Sequence, residues 1–271
     1  MENSRANSTP EELQAASQGS GDVFVKQTEA HQASRREFMR LSGLAVGATG
    51  LALPAAASAL STAEPAPRIP AAALGPDEVL AKLIEGNKRF AKGDTTSPRR
   101  KPEDFAPLAE GQAPVAIIVG CADSRVSPEL VFDQGVGDLF VVRVAGNVVS
   151  NAGAPVKGSI EFAVAELGAR LIIVLGHEAC GAVKAAVDHI DKNDTLPGAI
   201  RELVDLIRPA AASVKGKPGD KLENAIKANV AIGVERIKTL DPILSGFFKK
   251  GEIKVVGAVY ELRTGLVKFL D

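Results

Sequence analysis

Tryptophan is absent from this chain of 271 residues, and it has one tyrosine. Binding of bases or sugars through an array of stacked aromatic rings is therefore excluded. The chain has only two cysteines, Cys121 and Cys180, too few for a small disulfide-stapled scaffold. Neither sign of charge dominates: 32 Lys+Arg against 33 Asp+Glu leave a formal net charge of -1. A nucleic-acid partner would call for a basic surplus or stripe, and none is visible. Only three histidines occur, so any histidine chemistry must be local. What remains, 45% hydrophobic and 24% charged residues, is ordinary globular composition with enough chain for a sizeable core.

Long hydrophobic runs are missing as well, and this shapes the reading of the first 59 residues. Residues 1–33 are polar and irregular. The segment Ser34-Arg35-Arg36-Glu37-Phe38-Met39-Arg40 follows, then an uncharged stretch over residues 41–63 broken by Gly43, Gly47, Gly50 and Pro54. A spanning helix needs ~20 predominantly apolar residues, and this stretch is too weak. A basic region, a mildly apolar region and Ala57-Ser58-Ala59 as a small-residue cleavage site have the layout of a signal peptide. The arginine pair resembles the twin-arginine export signal. The expected organisation is a signal peptide with its polar leader over 1–59, a flexible linker over 60–75, and a folded domain over 76–271. The expected destination is the periplasm or the exterior, with no stable membrane span after processing.

Within that domain, Pro76-Asp77-Glu78 predicts a helix start, with acids near its positive end. Val79, Leu80, Leu83, Ile84 and Phe90 keep helical spacing, and Gly93 can end the helix. Short continuous apolar runs at 115–119, 139–142 and 171–175 suit strands buried on both faces, and 253–260 and 266–270 add two more. Helical patterns fall at 128–132, 159–167, 182–190, 200–207 and 222–240. Alternation of this kind predicts an α/β fold, a mostly parallel central sheet flanked by helices, with an N-terminal helical arm.

Ligands of such sheets gather at the carboxyl ends of strands. One apolar run ends in Gly120-Cys121-Ala122-Asp123-Ser124-Arg125, another in Gly176-His177-Glu178-Ala179-Cys180-Gly181. Both cysteines and one histidine thus fall at one edge. Cys121, His177 and Cys180 form a Cys2His set, which can hold a catalytic zinc with its fourth position free. Asp123 is a fourth ligand or a partner of zinc-bound water, and Arg125 is placed to hold it as a carboxylate. Three other readings stay open at this point: a single Cys121–Cys180 disulfide, a lone cysteine nucleophile, or glycine loops for phosphate, although no GxGxxG or Walker pattern is present. His31 falls in the leader, and His189 reads as a helix-surface residue.

Cys121-Ala-Asp-Ser-Arg-Val126 with His177-Glu-Ala-Cys-Gly181 resembles the paired signature of the β-class carbonic anhydrases. Glu85-Gly-Asn-Lys-Arg-Phe90, Asp138-Leu-Phe-Val-Val-Arg-Val-Ala-Gly-Asn147, Gly158-Ser-Ile-Glu-Phe162 and Gly257-Ala-Val-Tyr-Glu-Leu-Arg-Thr-Gly265 extend the resemblance over roughly residues 76 to 271. The resemblance implies the β-carbonic anhydrase fold and one Zn2+ per chain on Cys121, His177 and Cys180. It also implies reversible hydration of CO2 to bicarbonate and a proton by attack of zinc-bound hydroxide. Asp123 and Arg125 match the dyad that orients this hydroxide, or that lets the aspartate close the metal when the pair is broken. Gln112, Phe140 and Phe162 match substrate-pocket residues. The branch with an inhibitory bicarbonate pocket uses tryptophan there, so an open, water-bearing zinc is expected. A homodimer or higher homo-oligomer is implied, with the helix around Val79 and Phe90 packed on the partner and hiding its apolar stripe there. Hydrolysis of COS or CS2, or a non-catalytic binding module of the cell envelope, are the competing readings.

Overall fold

The computed structural model describes residues 74–190, 192, 194 and 196–270. The proposed signal peptide, its cleavage site and most of the 60–75 linker lie outside the described residues. Five strands form one sheet: β1 Ala116–Gly120, β2 Leu139–Arg143, β3 Leu171–His177, β4 Lys254–Tyr260 and β5 Val267–Phe269. Their order is β2-β1-β3-β4-β5. The first four pair in parallel and β5 returns antiparallel to β4. The mostly parallel α/β expectation therefore holds, with every expected strand present.

All residues of β1 and β3 are buried, which explains why these runs read as continuous rather than alternating. Alternation still decides which layer each side chain joins. Ile117, Val119, Ile172, Val174, Val255 and Val259 face one core with α3 (Gly153–Ala165), α4 (Gly181–Asp188), α5 (Ile200–Ser213) and α6 (Lys221–Lys238). Ala116, Ile118, Leu171, Ile173 and Leu175 face the other, covered by α1 (Pro76–Lys92) and the short α2 (Pro128–Val131). Helix α1 begins and ends as its sequence predicts. The Gly75 amide donates to the Glu78 carboxylate at 2.9 Å, and Gly93 leaves the helix at φ 80°.

Three elements depart from expectation. Helix α3 starts at Gly153 rather than near 159, because Pro155 falls in its first turn, where a missing N–H costs nothing. Helix α5 runs to Ser213 through Pro209; burial of Val204, Ile207, Ala210 and Ala211 outweighs the forfeited hydrogen bond. A short α7, Leu244–Lys249, has no counterpart in the expected pattern.

Part of the α1 stripe is covered within the chain: Val79 and Leu83 are fully buried, against Val131 and Phe132 among others. Gly86 permits that contact: a Cβ there would stand 1.9 Å from the Phe132 carbonyl oxygen. Asn87, also buried, donates to the carbonyls of Val131 (3.0 Å) and Gly265 (2.8 Å) and accepts from the Val267 amide (2.8 Å). One side chain thereby joins α1, α2 and the β4–β5 turn.

Beside it, the buried Asp133 accepts from Arg89 Nε (2.7 Å), the Thr96 amide and hydroxyl (2.9 Å each) and the Ser97 amide (2.9 Å). Burial works to raise this carboxyl, but the four donors hold it down at about 2. A depressed folded-state pKa contributes stability that is present above the unfolded value of ~3.9 and lost as pH falls toward about 2. Asp133→Asn should cost ~2 kcal/mol at neutral pH. It should also flatten the acid limb of stability between pH ~4 and ~2, as read by denaturant unfolding across pH.

Candidate metal centre

Parallel pairing sets Gly120 opposite Leu175, so β1 and β3 end side by side. Cys121 follows the last residue of β1, and His177 is the last residue of β3. From His177 the chain must turn into α4 within three residues. It does so through Ala179, held at φ 54°, and Cys180, the extended residue that precedes the helix. A left-handed alanine stores ~1–2 kcal/mol of strain, and here it falls in the turn between His177 and Cys180.

The result is a buried group of three. The ligand-capable atoms of Cys121, His177 and Cys180 all lie within 4.8 Å of one another, and both cysteines are free. His177 Nδ1 stands 2.9 Å from the Glu178 carbonyl oxygen, which can only accept, so Nδ1 carries the hydrogen. Nε2 then presents a lone pair, and it is buried with no hydrogen-bond partner. An orphaned imidazole nitrogen beside two thiol sulfurs, with its other nitrogen oriented by a carbonyl, is the donor set of a thiophilic divalent cation. The residues present fit zinc.

The two thiols cannot ionise independently. The Cys180 thiol beside Cys121 holds Cys121 down to about 4, helped by His177 and by the Gly146 amide. The same neighbour pushes Cys180 well above the ordinary thiol range. Two thiolates at this separation repel, and a divalent cation between them is what would allow both to lose their protons.

Asp123 belongs to the neighbourhood but not to the ligand group. Arg125 grips it through Nε on Oδ1 (2.9 Å) and Nη2 on Oδ2 (2.7 Å), and the Arg125 amide adds a third donor at 2.9 Å. These contacts, the guanidinium first, hold its carboxyl far below the usual carboxylate range. Oδ2 lies 3.8 Å from His177 Nε2, so the carboxylate faces the centre while anchored to Arg125. This is the unbroken dyad that the resemblance implies.

Sequence reasoning gave no role to Arg143, at the end of β2. Its Nε donates to the Cys121 carbonyl (2.9 Å) and Nη2 to the Asp123 carbonyl (2.6 Å), pinning the loop that carries both. An arginine closing an otherwise apolar strand run was the available signal. The Gly146 amide, 3.3 Å from Cys121 Sγ, was also missed.

Gln112, Phe140 and Phe162 are not among the three residues whose ligand-capable atoms cluster. Gln112 is exposed, four residues before β1 begins. Phe140 pairs with Ile117, four positions short of Cys121, toward the amino ends of the strands. Phe162 lies on α3 and is 48% exposed.

The family model described as "Carbonic anhydrase" matches residues 116–267. "Carbonic anhydrase 2" of Mycobacterium tuberculosis is 41% identical over 194 residues, 70% of this chain and 90% of that protein. A carbonic anhydrase of Mycolicibacterium smegmatis is 37% identical over 186 residues, 69% of this chain and 89% of the relative. Among solved structures, the Coccomyxa β-carbonic anhydrase in complex with acetazolamide superposes with a TM-score of 0.55 at 31% identity, covering 72% of this chain and 86% of that one.

The strain of the turn between His177 and Cys180 can be measured through the left-handed Ala179. Ala179→Gly should raise stability by ~1 kcal/mol, because glycine adopts the left-handed conformation freely. Denaturant unfolding with an unchanged or lowered midpoint would show that the turn is not strained.

Proposed function

The chain belongs to the β-class carbonic anhydrases, which carry out the reversible hydration of carbon dioxide to bicarbonate and a proton, and on that basis we propose how its own residues do so. Cys121, His177 and Cys180 hold one zinc ion per chain. The observation that carries this reading is the orphaned, buried His177 Nε2 beside the two cysteine sulfurs. Bound there, zinc supplies Lewis acidity that brings the ionisation of water toward neutral pH, less far with two thiolate ligands than with three imidazoles.

Asp123 orients the reacting water. Its carboxylate accepts the water's hydrogen at Oδ2, the oxygen nearest His177 Nε2, and turns a lone pair toward the carbon of CO2. Arg125 keeps that carboxylate from swinging in to become a ligand, and Arg143 holds the backbone beneath both. The other readings of the sequence, COS or CS2 hydrolysis and a non-catalytic envelope module, draw no support from the relatives, which are named carbonic anhydrases.

Gln112, Phe140 and Phe162 complete the pocket of a second copy. Gln112 is exposed, Phe140 stands near the amino end of β2, and Phe162 offers a large apolar side chain to solvent. The chain therefore works as a homodimer or higher homo-oligomer. Residues 1–59 direct export through the twin-arginine route to the periplasm or beyond, with cleavage after Ala59. Among the described residues no helix is long and apolar enough to cross a membrane.

Purified protein should contain one zinc per chain by metal analysis. Asp123→Asn should keep that zinc and the fold yet lose CO2 hydration by ~10²-fold or more, because an amide donates where the carboxylate accepted. Arg125→Ala should likewise keep zinc and lose turnover at neutral pH. Stopped-flow hydration at wild-type rates in both zinc-replete variants would defeat the role given to Asp123. For export, Arg35→Lys combined with Arg36→Lys should leave the protein in the cytosol, as read by cell fractionation. Delivery of that double variant to the envelope would refute the address.

A further inference from the structure

The buried stripe of α6 runs through Ile226, Val230, Gly233, Val234 and Ile237, and one polar residue interrupts it. Asn229 is 6% exposed, in a position whose neighbours along the helix are apolar. A buried amide is costly unless it is hydrogen-bonded. This one donates to the Gly146 carbonyl at 2.7 Å, and the bond is itself buried.

Gly146 lies in the tight turn Ala145–Asn147 that follows β2. Two successive residues are left-handed there, Gly146 at φ 73° and Asn147 at φ 45°. The turn is wedged between helices: a Cβ on Gly146 would meet Ile207 Cδ1 at 2.5 Å and the Ala182 side chain at 3.2 Å. The Gly146 amide is the group that reaches Cys121 Sγ at 3.3 Å. Asn229 thus grips one end of the peptide group array whose other end touches a ligand sulfur.

We propose that Asn229 is a positioning residue for the reaction, holding the 145–147 turn so that the Gly146 amide donates to the Cys121 sulfur. A hydrogen bond to a thiolate withdraws charge from the sulfur, so the sulfur gives less to the cation it holds, and the cation stays a stronger Lewis acid. Losing Asn229 frees the turn, weakens the N–H···S bond and makes Cys121 a more electron-rich donor. The inference rests on the reading that Cys121 ligates a metal.

Both readings can be tested separately on the full protein. With a spin-active cadmium isotope in place of zinc, the Gly146 amide proton should show through-bond coupling to the metal. In Asn229→Ala and in Asn229→Leu, neither of which has a donor, the coupling should vanish while cadmium stays bound. With cobalt(II), the thiolate-to-metal charge-transfer band should move to longer wavelength in both variants. Ile237→Val, on the same stripe but remote from the turn, should lower stability and move neither signal. Wild-type protein that binds cadmium but shows no coupling would overturn the inference, as would Asn229→Ala with coupling and band unchanged. Wild-type protein that takes up no metal would instead overturn the metal reading beneath it. If Asn229→Leu fails to fold, the wild-type coupling and Asn229→Ala decide the matter.

Discussion

The lateral parallel pairing of β1 and β3 is the contact on which this molecule depends. Their side chains are buried on both faces, so polar chemistry has no place along their length and must collect where they end. Placing Gly120 opposite Leu175 makes the two ends coincide, and Cys121 meets His177 without either being drawn from its strand. A slip of one register position would send Cys121 toward the opposite face, away from the imidazole. Everything chemical about the centre inherits its precision from a ladder of backbone hydrogen bonds.

Around that junction the chain divides its cations between two tasks. Arg125, half exposed, pairs with a carboxylate side chain and so fixes where a negative charge points. Arg143 binds two backbone carbonyls instead, and so fixes the path of the peptide between Cys121 and Asp123. An exchange of these roles would be poor design: a guanidinium committed to carbonyls cannot also balance a carboxylate. Strain is handled the same way, locally, with the left-handed Ala179 placed in the one turn that must join strand to helix within three residues.

Much of this was legible before any coordinates. The apolar runs at 115–119 and 171–175 became β1 and β3 because continuous hydrophobicity has few other uses in a parallel sheet, and the reactive residues at their ends followed. What escaped had physical reasons. Helices continue past proline where its missing N–H costs little, so Pro155 lies inside α3 and Pro209 inside α5, both beyond the patterns at 159–167 and 200–207. Periodicity says that α1 has an apolar face but not which surface receives it, and the receiver proved to be this chain's own Phe132 and Val131. Phe140 and Phe162 carried meaning through resemblance alone, and resemblance does not say which copy's centre they serve. Asn229 was invisible because one amide in an apolar stripe looks like noise until the carbonyl it reaches is known.

Asn87 has a consequence for the order in which the protein can be completed. Its partners include the Val267 amide, 180 positions later in the chain. At ~5–20 residues per second of synthesis, that partner is made ~10–35 s after Asn87 itself. Throughout that interval the first helix can lie against α2, yet its latch to the far end of the sheet cannot close. Cys121, His177 and Cys180 are all synthesised before Val267. In a nascent chain the bond between Asn87 and Val267 therefore closes only after Cys121, His177 and Cys180 have been made.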